Sequence, residues 1–131
     1  MSAKSKGISA ERELIHRFWK TNDWTACRVA GSGSIKYPAP DVIAQSAKRH
    51  LAIECKALKG EYQYFGAEEI ADLQVFAQRS GSEAWVGVRF NREDWRFVAI
   101  HAIPTTEKQY VVSKVFAFEN GKQFERLIDG A

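Results

Sequence analysis

The sequence predicts an α/β domain in which a mixed central β-sheet is flanked by helices. Three observations lead there. Helix-period and strand-period segments alternate in the order helix, three strands, helix, two or three strands. An apolar content of 45% with 12% aromatic belongs to a chain that builds a core, not to a disordered one. A length of 131 residues suits one folding unit, so residues 1–131 are read as a single domain.

In residues 8–21, Ile8, Leu14, Ile15 and Phe18 recur at helical spacing and form one stripe. Trp24–Ala30 reads as a strand, Thr25, Cys27 and Val29 alternating with Trp24, Ala26 and Arg28, and Cys27 is assigned to the core. Gly31–Ser34 opens a loop that runs to Pro38-Ala39-Pro40. Asp41–Gln45 and Leu51–Ala57 are strands joined by the turn Ser46–His50, hence a hairpin. Lys59–Phe65 is an aromatic-rich loop. Ala67–Ser80 is a second helix with Ile70, Leu73, Phe76 and Ala77 inward and Gly81 as its C-terminal cap. Glu83–Phe90 and Trp95–His101 are strands separated by Asn91–Asp94. Tyr110–Phe118 is a further strand, Asn120-Gly121 a turn, and Lys122–Ile128 a short last helix.

Several classes are excluded. No apolar run nears the ~20 residues of a membrane span, and Met1–Lys6 has no secretory apolar segment. Cys27 and Cys55 lack the spacing of a zinc ribbon, redox motif or disulfide framework, which suits a cytoplasmic chain with free thiols. The Gly31–Gly33 loop lacks the Gly-Lys-Ser/Thr ending of a nucleotide-binding loop. The net charge of +3 is unevenly spread: residues 1–60 hold eleven Lys/Arg and five Asp/Glu, residues 61–131 eight and eleven. A basic half of this kind invites a polyanionic partner.

The chemistry-bearing residues lie in that half. Around the first helix, at about 100° per residue, Glu11 falls between Leu14 and Phe18 on one side and Ile8 and Ile15 on the other. A carboxylate on an inward face needs a cation or donors. A buried salt bridge or escape to solvent are the plain alternatives to a functional role. In the second hairpin strand Leu51, Ile53, Cys55 and Ala57 share one face and Ala52, Glu54 and Lys56 the other. Asp41 follows Pro40, which cannot donate to a ladder, so Asp41 stands at the strand's open end. Asp41 and Glu54 would supply hard oxygen ligands to Mg²⁺ together with a backbone carbonyl, that of Cys55, and Glu11 would complete the set directly or through water. Lys56 would orient the attacking water and offset charge on a scissile phosphate. Zinc would ask for His or Cys side chains, which this cluster lacks apart from the inward Cys55. His16, His50 and His101 are scattered and read as surface or structural.

These residues sit in blocks that resemble a known family. The stretches Lys6-Gly7-Ile8-Ser9-Ala10-Glu11-Arg12-Glu13-Leu14, Arg28-Val29-Ala30-Gly31-Ser32, Asp41-Val42-Ile43-Ala44 and Leu51-Ala52-Ile53-Glu54-Cys55-Lys56 resemble the archaeal-type Holliday junction resolvases of the PD-(D/E)xK nuclease superfamily. Val86-Gly87-Val88-Arg89-Phe90 and Trp95-Arg96-Phe97 extend the likeness over nearly the whole chain. The resemblance implies a restriction-endonuclease-like sheet and a homodimer on four-way junction DNA. It also implies paired nicks, a requirement for Mg²⁺, for which Mn²⁺ can substitute, and no membrane or small-molecule cofactor. It assigns catalysis to Glu11, Ser32, Asp41, Glu54 and Lys56, Ser32 catalytic or strand-positioning, and phosphate contacts to Arg12 and Arg28. Lys4, Lys6, Ser32 and Lys36 join these as DNA contacts, and the setting is cytoplasmic and nucleoid-associated. Phe76 and Arg79 fit the family pattern at the end of the second helix, whereas Ser80 stands where an aromatic would serve a dimer contact. The loop Ile35–Pro40 varies in length among relatives. Tyr62, Tyr64 and Phe65 are read either as junction or dimer contacts or as cover for the core edge. The alternatives in function are a nuclease acting on linear duplex and a junction-binding module without catalysis.

Overall fold

The computed structural model describes residues 3–29 and 36–130. Helix α1, Ala3–Lys20, begins five residues before its predicted start, since Lys4 and Lys6 have good helix propensity. Ala10, Leu14 and Phe18 are buried from it. Strand β1, Thr25–Arg28, pairs antiparallel with β2, Val42–Gln45, and β2 with β3, His50–Lys56, so the predicted hairpin forms. The chain then forms β4, Tyr62–Gly66, and helix α2, Ala67–Ser80, whose bounds are those predicted. Gly81 closes α2 in the left-handed region, at φ 70°, where its N–H donates to the Ala77 carbonyl. Strand β5, Glu83–Val88, lies parallel to β3, which requires the crossover that α2 provides. Strand β6, Arg96–Ala99, returns antiparallel and ends in a short 3-10 turn, Ile100–Ala102. The sheet order is β1-β2-β3-β5-β6, a mixed sheet with β3 in its middle.

Its two faces are both covered. On one, Leu14 and Phe18 of α1 meet Leu51, Ile53, Trp85 and Phe97. On the other, Ile70, Leu73 and Ala77 of α2 meet Ala52, Val86, Val88 and Val98. Strand β3 therefore sends Leu51 and Ile53 toward α1 and Ala52 toward α2, the alternation predicted for it. Gly87 of β5 lets this layer close. A Cβ there would stand 3.0 Å from the Phe97 ring and 3.4 Å from Ile53 Cγ2.

Four sequence expectations are corrected. The segment 59–65 is a loop only at its start. β4 pairs with β7, Gln109–Ser113, in a separate two-stranded sheet. Its alternation was hidden because one inward residue is Gln63, fully buried, beside Phe65, while Tyr62 and Tyr64 stack on the outer face. The strand expected over 110–118 ends at Ser113. The Ser113 hydroxyl accepts the Phe116 N–H at 3.0 Å and starts helix α3, Lys114–Asn120, so a local cap outweighs the β-propensity of Val115 and Phe116. The strand expected to run to His101 stops at Ala99, where the 3-10 turn begins. Cys27 is exposed, because β1 is an edge strand that turns Trp24 and Ala26 inward and Thr25 and Cys27 outward. The last helix, α4, is Phe124–Asp129. Its Phe124 ring meets Phe18 edge-on at 4.9 Å. Among the described residues no helix is long and apolar enough to cross a membrane.

Candidate active site

The hairpin brings Asp41 and Glu54 together. The Asp41 N–H donates to the Ile53 carbonyl at 3.1 Å, and the Cys55 N–H donates to Asp41 Oδ2 at 2.8 Å. One backbone bond thus sets the register while the other aims the carboxylate across the strand. The Glu54 side chain is hydrogen-bonded to that of Asp41. Burial, the charges of Asp41 and of Glu69, and this bond push Glu54 up to about 8, against the pull of Lys56. At neutral pH Glu54 therefore keeps its proton.

Glu11 approaches from α1. Burial and the Asp41 charge raise its pKa, while Arg28 opposes them through a 3.0 Å bond from Nε to Glu11 Oε1. Asp41 thus lies within electrostatic reach of both glutamates. Among the described residues no three His, Cys, Asp or Glu side chains form a ready metal-ligand group. Glu11 is drawn to Arg28, an arrangement compatible with its reaching an ion through water. The Arg28 guanidinium, expected to hold a DNA phosphate, pairs with Glu11 inside the site.

Lys56 projects from the same strand face as Glu54, as the alternation requires. Its Nζ lies 3.5 Å from Glu69 Oε2 and 5.2 Å from the centroid of the Phe65 ring. Glu69 was missed. Its other oxygen accepts the Gly66 N–H at 3.0 Å at the start of α2. The Gly66-x-x-Glu69 spacing was legible as a helix start, but nothing in it announces a partner on β3. The Cys55 thiol packs with the α1-side core, and burial pushes its pKa well up, so the side chain stays a neutral thiol.

The remaining expected contacts are dispersed. Lys4, Arg12 and Lys36 are exposed. Lys6 is half-buried with Nζ 3.5 Å from Asn91 Oδ1. Ser32 lies outside the described residues. His16, His50 and His101 are exposed, which agrees with a surface reading.

The donor set suits a hard divalent cation: two carboxylates forced together, one retaining a proton that a dication would displace, with no thiolate or imidazole beside them. Fold and cluster together define a restriction-endonuclease-like α/β protein carrying an Asp…Glu-x-Lys strand pair. Residues 2–131 match the family described as archaeal Holliday junction resolvase (hjc), and the chain belongs to that family. The crossover junction endodeoxyribonuclease Hjc of Archaeoglobus fulgidus is 39% identical over 111 residues, 85% of this chain and 81% of the relative. The protein of the same name from Sulfolobus acidocaldarius is 31% identical over 130 residues, 98% and 90% of the two chains. The 1.6 Å structure of the A. fulgidus Hjc, a Holliday junction resolvase, superposes with a TM-score of 0.85 at 33% identity, covering 92% of this chain and 96% of that one.

Proposed function

We propose that this protein is a structure-selective endodeoxyribonuclease that resolves four-way DNA junctions by paired, metal-dependent phosphodiester hydrolysis, acting as a homodimer. Membership of the family, whose relatives carry the name crossover junction endodeoxyribonuclease, supports the substrate. The observation that carries the chemistry is the hydrogen-bonded Asp41–Glu54 pair with Lys56 two residues on along the same face.

In this reading Asp41, Glu54 and the Cys55 carbonyl would hold Mg²⁺ or Mn²⁺, with Glu11 acting through water. When bound, the ion supplies positive charge to the phosphate oxygens and makes water more acidic. Asp41 is fixed for its role by the Cys55 N–H. Lys56, steadied by Glu69, orients the attacking water and stabilises charge on the phosphate. Arg28 opposes the upward shift that burial and the Asp41 charge impose on Glu11. Ser32 positions the strand to be cut. Lys4, Lys6, Arg12 and Lys36 hold backbone phosphates, and Arg28 adds its charge at the site's edge. Two such sites, one per subunit, would cut two strands of one junction.

The test is cleavage of a labelled four-way junction beside a linear duplex of the same sequence, with Mg²⁺ and then with EDTA. Cutting confined to the junction and abolished by EDTA is expected. Equal cutting of both substrates points to a general duplex nuclease. Binding of the junction without cutting points to a recognition module.

A further inference from the structure

Beside the site lies a cleft of about 230 Å³ lined by Lys6, Ser9, Arg89 and Arg92 among others. Ala10 and Ala57 also line it, and they are the chain neighbours of Glu11 and Lys56. Among the described residues its only carboxylate is Glu13, and Arg89 Nη1 already pairs with Glu13 Oε2 at 2.9 Å. Among the described residues Lys6 reaches a neutral amide, Asn91 Oδ1. Arg92 has no hydrogen bond or ion pair among the described residues. Three cations against one acid leave the cleft positive by two charges.

The backbone at Arg92 adds an independent observation. Phe90–Glu93 is a tight turn closed by the Glu93 N–H donating to the Phe90 carbonyl at 3.0 Å. Arg92 occupies its third position with φ 63°, where turn chemistry favours Gly or Asn and a long side chain is strained. Folding gains nothing from arginine there. A side chain kept at a strained position, exposed and aimed at a basic cleft, is a feature of a contact with a ligand.

We propose that this cleft seats a backbone phosphate of the DNA strand next to the one being cut, with Arg92 as the cation that folding does not need. This rests on the junction-resolvase reading and names a contact within it. The bound phosphate would fix the strand relative to Lys56 and the carboxylates, and would do so without reading sequence.

Arg92→Gly separates folding from binding, because glycine relaxes the turn. Its thermal midpoint should match that of the native protein or rise by a few degrees, on the order of 2–4 °C. Its affinity for a four-way junction should fall about three- to tenfold at ~0.1 M salt, and the slope of log affinity against log salt should shallow by about one per subunit. Arg92→Lys should keep the slope. Unchanged affinity and slope in Arg92→Gly, with the native protein binding and cutting junctions, would overturn this contact alone. A native protein that neither binds nor cuts a junction would overturn the resolvase reading and this contact with it.

Discussion

The amine of Lys56 on β3 lies 3.5 Å from Glu69 Oε2 on α2, and the other oxygen of the same carboxylate caps that helix through the Gly66 N–H. One side chain thus joins the start of the crossover helix to the strand carrying the proposed catalytic lysine. The sheet register sets where the Lys56 backbone runs, whereas Glu69 and the face of Phe65 set where its amine points.

Two substitutions separate these duties. In Glu69→Gln the amide oxygen still accepts from Gly66, so the melting temperature should hold, but Lys56 loses its carboxylate and junction cleavage should slow roughly three- to tenfold. Glu69→Ala removes the cap as well and should cost about 1 kcal/mol of stability. Single-turnover rates at saturating protein, read beside thermal melts, check both. A Glu69→Gln protein cutting at the native rate would mean that the Lys56 amine is positioned by other means.

Asp41→Asn should abolish cleavage while junction binding persists in gel-shift titrations. The amide oxygen can still accept from Cys55, so the hairpin keeps its geometry. Loss of the Asp41 charge removes one cause that raises Glu54, which should then titrate at lower pH. Retained cleavage would exclude Asp41 from the metal site.

Metal-free stability should fall as pH rises. Glu54 is raised from 4.5 to about 8, so the folded protein binds this proton more tightly than the unfolded chain does. The stabilisation is fully present below about 4.5 and is lost as pH climbs to about 8. Glu11, also raised, acts in the same direction. Each pKa unit corresponds to about 1.4 kcal/mol, so the loss is on the order of 5 kcal/mol. Urea midpoints in EDTA at stepped pH should trace it, Glu54→Gln should flatten it, and millimolar Mg²⁺ should restore stability at the alkaline end. A flat profile for the native protein would show that the carboxylates are not held together in solution.

Arg49 predicts a purely structural loss. It forks onto both oxygens of Glu83 at 2.8 Å, donates to the Leu127 carbonyl at 2.6 Å and lies 5.6 Å from the centroid of the Trp24 ring. It therefore pins α4 to the far end of the sheet. Arg49→Ala should cost about 1–2 kcal/mol and leave junction cleavage at 25 °C intact. Denaturant melts and a cleavage assay on the same sample test the two halves.

Much of this protein was determined by the sequence alone, through local pattern. The bounds of α2, the hairpin of β2 and β3 and the facing of Glu54 and Lys56 follow from periodicities that the backbone enforces within a few residues. The basic first half, once Glu11, Asp41 and Glu54 are set aside as site residues, has only Glu13 and Asp23 to offset its eleven cations. Tertiary structure alone decided which side chains meet. Arg28 turned to Glu11, Glu69 to Lys56 and Glu13 to Arg89, each pair separated along the chain and joined only by packing. It also decided that β4 and β7 pair and that Cys27 faces outward, because burial at a sheet edge depends on which neighbours arrive. A residue's type and spacing set what it can do. The field and the partner that direct it, as at Glu54, come from charges brought close by the fold, and Coulomb energy depends on distance in space, not on separation in sequence.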